Sequence, residues 1–205
     1  MKIGLYFGTF NPIHVGHLVI ANYMADFTEL DQVWMVVSPQ NPLKDKASLL
    51  SDLHRLALVK IAIDDNPKLR ASDIEFNLPK PSYTATTLAY LKEKYPQHEF
   101  AIIMGEDNLR TLHKWYNYEQ LLKNHTLYVY PRLLTMQEEH EVGTINSHIS
   151  NDFSKEGNVI ICEDAPVMKV SASFVRQAIK DGKDVRYLLT EPVHRYINEM
   201  NFYKK

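Results

Sequence analysis

Short apolar runs alternate along this chain with longer stretches of helical period. Residues 2–7 form an apolar run ending at Gly8, a turn follows, and Val15–Phe27 carries a helical pattern. Gln32–Val37 reads as a second buried strand, and 52–63 as a helix with Leu53, Leu56, Ala57 and Ile61 on one face. A further strand is expected between Leu69 and Phe76. Pro81 and Ser82 open a helix in which Leu88, Leu91 and Tyr95 share a stripe, and 99–104 is an apolar strand ending at Gly105. Two more strands are expected at 126–130 and 159–162. Between them, 133–156 is polar, weakly periodic and reads as a long surface excursion or lid. The stretch 171–203 reads as two helices around a break at Asp181 and Gly182. The first should turn Phe174, Ala178 and Ile179 inward, the second Val193, Tyr196, Ile197 and Met200.

Strands separated by helices imply right-handed crossovers and a mainly parallel sheet covered on both faces, a doubly wound, Rossmann-like α/β fold with C-terminal helices. Neither a repeat nor a dividing linker is visible, so residues 1–205 are expected to form a single domain. Ligands of such sheets bind beyond the carboxyl ends of the strands, which directs attention to the segments after Phe7, Val37, Met104 and Tyr130.

Composition narrows the partners. With 45% hydrophobic and 23% charged residues the chain is globular in character, and its formal net charge of -2 lacks the basic excess of a nucleic-acid binder. No apolar run approaches the roughly 18 residues that span a bilayer, and residues 1–8 are too short for a signal peptide. Cys162 is the only cysteine, which excludes an intrachain disulfide and suits a cytoplasmic location.

The loop after the first strand reads GTFNPIHVGH from Gly8 to His17. Glycine at position 8 lets backbone N–H groups approach a phosphate, and a helix starting near His14 turns its positive end to the same place. His14 and His17 are three apart, so they project from one helix face, where two imidazoles can hold phosphate oxygens and stabilise charge growing on phosphorus. A lone histidine in a first turn is more often a polar surface residue. Two histidines one turn apart can also ligate zinc, but no nearby Cys, Asp or Glu completes a set, and no protein metal site is expected. Neither G-x-x-x-x-G-K-[ST] nor G-x-G-x-x-G occurs, which argues against a P-loop kinase and a typical dehydrogenase.

Gly8 to His17 resembles the H-x-G-H signature of the nucleotidyltransferase superfamily, and the chain is similar to its nicotinate mononucleotide adenylyltransferase branch over nearly its whole length. The segments PSYT (81–84), GED (105–107), KWY (114–116) and VSASFVR (170–176), in that order, carry the resemblance to the branch. It implies transfer of AMP from ATP to nicotinate mononucleotide with release of pyrophosphate and Mg²⁺ accompanying the phosphates. By the same resemblance, His14, His17 and Arg176 would contact phosphates. Gly8, Thr9, Phe10 and Asn11 would line the nucleotide and the acceptor phosphate. Ser171 and Ser173 belong to a second phosphate-contacting motif, Thr84 and the amide of Ala85 would meet the nicotinate carboxylate, and Trp115 would stack on the pyridine ring. Gly105 and Asp107 would meet ribose hydroxyls, and Lys44 stands where the family has a phosphate-facing lysine.

Several of these residues have ordinary structural readings too. Ser171 can cap a helix, Asp107 can cap the helix through Leu112, and an aromatic such as Trp115 is commonly packing. Phe7 and Asn11 depart from the family's usual glycine and aspartate, and Leu43 replaces the histidine before Lys44. An acceptor phosphate is already ionised near pH 7, so positioning and charge neutralisation suffice without a general base. Within the superfamily, a phosphopantetheine-type adenylyltransferase is the alternative; outside it, a non-catalytic ATP or NAD sensor. Assembly into a homo-oligomer is left open.

Overall fold

The computed structural model describes residues 1–39, 49–131, 153 and 156–204. Lys44 and all but Phe153 and Glu156 of the 133–156 stretch lie outside them. Six strands, β1 (Lys2–Gly8), β2 (Gln32–Val37), β3 (Leu69–Ser72), β4 (Glu99–Gly105), β5 (Leu127–Tyr130) and β6 (Val159–Ile161), form one sheet in the order β3-β2-β1-β4-β5-β6. Every neighbouring pair is parallel. The seven α-helices described are α1 (Val15–Phe27), α2 (Asp52–Ala62), α3 (Thr84–Lys94), α4 (Glu106–Arg110), α5 (Tyr118–Asn124), α6 (Ala172–Lys180) and α7 (Glu191–Glu199).

Strand side chains alternate between faces, and this period of two divides the core. Tyr6, Val33, Met35, Val37, Ala101 and Ile103 pack with the buried residues of α1, α2, α6 and α7. Leu5, Trp34, Val36, Ile102, Met104 and Val129 meet Leu88 and Leu91 of α3, Leu109 of α4 and Leu121 of α5. Both faces are covered, which a parallel sheet of near-continuous apolar strands requires. No helix among the described residues is long and apolar enough to cross a membrane.

Three details of the helix faces differ from expectation. In α2 the buried positions are Arg55, Leu56, Leu58, Val59 and Ala62, while Leu53 is 71% exposed. The stripe is therefore rotated, because a fully buried arginine occupies a place that an apolar count gives to leucine. In α6 the buried residue is Val175, and Phe174 is exposed. Met200 follows the last turn of α7 and is exposed as well. The strand expected before Phe76 ends at Ser72 and gives way to a 3-10 turn, Ile74–Asn77, that buries Glu75.

Strand order reverses between β1 and β4, which run side by side. Their carboxyl ends, Gly8 and Gly105, open the crevice in which sheets of this topology hold ligands.

Candidate active site

The segment after β1 folds back on itself. Phe10 takes a left-handed backbone conformation (φ 44°) and its ring lies over Gly8, where a Cβ would come within 2.8 Å of the ring. Glycine at position 8 is thus required first by Phe10, whatever the backbone also offers an anion. Phe10, Asn11, Ile13 and His14 are buried, while Gly8, Thr9 and His17 keep partial access.

His14 is the N-cap residue of α1 and His17 its third residue. Their rings stack, with centroids 3.7 Å apart and planes at 28°, and the His14 N–H donates to Nδ1 of His17 at 3.3 Å. His17 also meets the ring of Phe10 edge-on at 5.1 Å. Gly16 makes room for this arrangement, since a Cβ there would lie 3.1 Å from the His14 ring and 3.5 Å from Cβ of Met168. The two imidazoles are together, on one side, at the positive end of a helix of 13 residues. Nearby, the hydroxyls of Tyr6 and Tyr130 share a 3.2 Å hydrogen bond that joins the ends of β1 and β5.

Arg176 of α6 donates through Nη1 to the carbonyl of Asn11 at 2.8 Å and through Nη2 to Ser173 Oγ at 3.3 Å. The VSASFVR segment and the first loop, far apart in sequence, therefore meet. Ser171 acts as the α6 N-cap, its hydroxyl accepting from the Phe174 N–H at 3.2 Å. The Asn11 side chain is committed to the scaffold: its Oδ1 accepts from the Leu50 N–H at 3.2 Å and from the Tyr203 hydroxyl at 2.8 Å. Burial pushes the Tyr203 hydroxyl's pKa up, against the pull of Arg176 and Arg55, so it stays a donor.

Arg55 was not singled out by sequence. Fully buried, it donates to the carbonyls of Thr9 at 2.6 Å, Ser38 at 2.9 Å and Leu50 at 3.1 Å, and pairs with Asp52 at 2.6 Å. One guanidinium thus fixes the loops after β1 and β2 against α2, which the planar fork of arginine can do and a point charge cannot. The available signal was its spacing, three and four residues before the buried Leu58 and Val59.

On the other side of the crevice, α3 begins at Thr84, its first helical bond running from the Thr87 N–H to the Tyr83 carbonyl at 3.1 Å. The N–H groups of Thr84, Ala85 and Thr86 precede that bond and have no partner within the helix. Tyr83 and Tyr116 rings lie 5.2 Å apart, which brings the PSYT and KWY segments together. Trp115 is half-buried, and its indole Nε1 is buried without a hydrogen-bond partner among the described residues. Gly105, rather than Asp107, is the N-cap of α4; a Cβ at Gly105 would collide with Oδ1 of Asp107 at 2.5 Å. Asp107 is held over the end of β4.

A doubly wound parallel sheet with stacked imidazoles and a helix start at its switch point defines an α/β protein of the nucleotide-binding type. The chain belongs to the cytidylyltransferase-like family, whose sequence model matches residues 5–178. A Flavobacterium johnsoniae protein named a probable nicotinate-nucleotide adenylyltransferase is 57% identical over 205 residues, all of both chains. A Bacteroides fragilis protein of the same name is 40% identical over 96% of this chain and 90% of its own. Among solved structures, a Plasmodium falciparum nicotinic acid mononucleotide adenylyltransferase complexed with NaAD superposes with a TM-score of 0.75 at 19% identity, covering 99% of this chain and 97% of that one. At that identity the likeness concerns the fold.

Proposed function

We propose that this protein transfers AMP from ATP to nicotinate mononucleotide, forming deamido-NAD and pyrophosphate in NAD biosynthesis. The observation that carries the reading is the end-to-end identity of 57% with a relative bearing that activity's name.

The site's chemistry supports it. An oxygen of the acceptor's 5'-phosphate would attack the α-phosphorus of ATP in line. The bond to the bridging oxygen breaks as the new one forms, and pyrophosphate departs with the electron pair. No proton has to move to a protein base. His14 and His17, at the start of α1, would donate N–H groups to the triphosphate, and Arg176 would add a fixed positive charge beside them. Gly8, Thr9 and Phe10 would border the phosphates, with Asn11 holding the loop's shape and Ser171 and Ser173 placing the α6 terminus and Arg176. Gly105 and Asp107 would face a ribose. The amides at Thr84 and Ala85 would receive the acceptor's carboxylate, and Trp115 would lie against its ring.

Magnesium would enter with ATP and neutralise charge on the departing pyrophosphate. Among the described residues no group of three or more His, Cys, Asp or Glu is arranged to hold a metal ion, and Mg²⁺ is commonly held through substrate phosphates and water. A cytoplasmic site of action belongs to the same reading. The lone Cys162 is buried and its pKa is raised by that burial, as suits an inert structural thiol in a reducing compartment.

The test is release of pyrophosphate by the purified protein given ATP, Mg²⁺ and nicotinate mononucleotide. Nicotinamide mononucleotide should be a poorer acceptor, because a neutral amide gains less at a helix N-terminus. No release above background with the nicotinate compound would overturn the proposal.

A further inference from the structure

Arg55 and Glu75 are the two residues with ordinarily charged side chains, histidine apart, that the described core buries. Arg55 is answered by Asp52. Glu75, only 1% exposed, has no ion pair among the described residues; it sits in the 3-10 turn after β3, beneath the first turn of α3. Its neighbours there are hydroxyls: Thr87 on α3, Ser82 just before α3 and Ser38 just after β2. No charged group from these elements contributes to its titration. Burial outweighs the three hydroxyls and raises the Glu75 pKa.

Thr87 Oγ1 lies 2.7 Å from Glu75 Oε1 and 3.3 Å from the Tyr83 carbonyl oxygen. A threonine hydroxyl carries one proton and cannot donate it fully to both. Both contacts become good hydrogen bonds when Glu75 is the carboxylic acid, donating to Thr87 while Thr87 donates to Tyr83. An ionised Glu75 would accept the Thr87 hydroxyl's hydrogen bond, drawing it from the Tyr83 carbonyl, and place a negative charge under the same turn that offers its amides to an anion.

We infer that Glu75 is a positioning residue for the acceptor: as a neutral acid it braces the first turn of α3 through Thr87 and leaves the amides of Thr84 and Ala85 available to the acceptor's carboxylate. The inference rests on the proposed function and adds a selectivity element to it. Glu75 does not touch substrate, so its effect is confined to the acceptor's KM.

The test compares Glu75→Gln, Glu75→Ala and Thr87→Val with wild type in steady-state pyrophosphate release, varying ATP and nicotinate mononucleotide separately. The new side chain of Glu75→Gln can donate an amide N–H to Thr87, so this variant should keep the acceptor KM within about twofold of wild type. Glu75→Ala should raise it about tenfold, the effect of losing one buried hydrogen bond, with kcat and the KM for ATP nearly unchanged. Thr87→Val gives the same split and serves where Glu75→Ala fails to fold, which thermal melting reveals. As pH rises and Glu75 ionises, the acceptor KM of wild type should climb relative to that of Glu75→Gln. If Glu75→Gln is as impaired as Glu75→Ala, if ATP and acceptor KM rise together, or if the pH profiles of wild type and Glu75→Gln coincide, the inference is overturned while wild-type turnover leaves the proposed function standing. No turnover by wild type would overturn both.

Discussion

Replacing Arg55 with lysine keeps the charge and removes the fork. In the native protein the guanidinium reaches Thr9 and Ser38 through one nitrogen and Leu50 through another, while also pairing with Asp52. A lysine ammonium can stay near Asp52 and serve one of the three carbonyls, leaving two without their donor. A buried acceptor left unsatisfied costs about 1–3 kcal/mol, and the lower half of that range applies where water can enter beside the half-buried Thr9. The expected loss is about 2–4 kcal/mol. A chain of this size loses about 2–4 °C in Tm per kcal/mol, so Arg55→Lys should melt about 4–16 °C below wild type. Because Thr9 lies between Gly8 and the histidine pair, kcat/KM for pyrophosphate release should fall as well, by at least about tenfold. Circular dichroism melts and steady-state assays at a temperature where both proteins are folded separate the two effects. A variant that melts within about 2 °C of wild type and keeps its kcat/KM would refute the assignment of Arg55 as the pin between the two loops.

His17→Ala should reduce kcat by about 10²–10³, the loss typical of one donor to developing charge, while ATP affinity by calorimetry changes little; a sensor without turnover would show only the affinity. Tyr203→Phe removes the hydroxyl donated to Asn11 and should cost about 1 kcal/mol of stability, read from denaturant midpoints, with a measurable fall in kcat. His125 is largely buried, with Nδ1 2.9 Å from the Phe100 carbonyl, and burial depresses its pKa below 6.5. Its contribution to stability is therefore present above about pH 6.5 and lost as pH falls below it. Melting temperatures of wild type should drop more steeply over that interval than those of His125→Gln; parallel curves would remove His125 as the cause.

The doubly wound fold was legible because burial on both faces leaves continuous apolar strands separated by helical stripes, a pattern that survives without any tertiary knowledge. Strand ends at Gly8 and Gly105 followed from it, and with them the location of the crevice. The pairing of His14 with His17 was legible from spacing alone. What escaped was a set of polar groups, Arg55 and Glu75 first, whose burial contradicts their type. Arg55 and Glu75 sit on buried positions, where periodicity arguments treat a charged residue as the solvent side. That bias rotated the face assigned to α2 toward Leu53. Asn11 was legible as a residue of the first loop, but the bond its side-chain oxygen accepts from Tyr203, 192 residues away, is announced by no local pattern. Gly8 invited an explanation through phosphate, whereas the nearest claimant on its missing Cβ is the Phe10 ring.

The bond between Asn11 and Tyr203 sets an order of events during synthesis. The histidine-bearing turn leaves the ribosome well before one of its fastenings, since the tyrosine that bonds Asn11 is made 192 residues later. A nascent polypeptide can pair its early strands, yet its first turn acquires that fastening only once position 203 is free to fold back. Reaction competence should thus improve when that tyrosine is released, and stalled chains ending before it should turn over more slowly than the full chain even with the sheet complete.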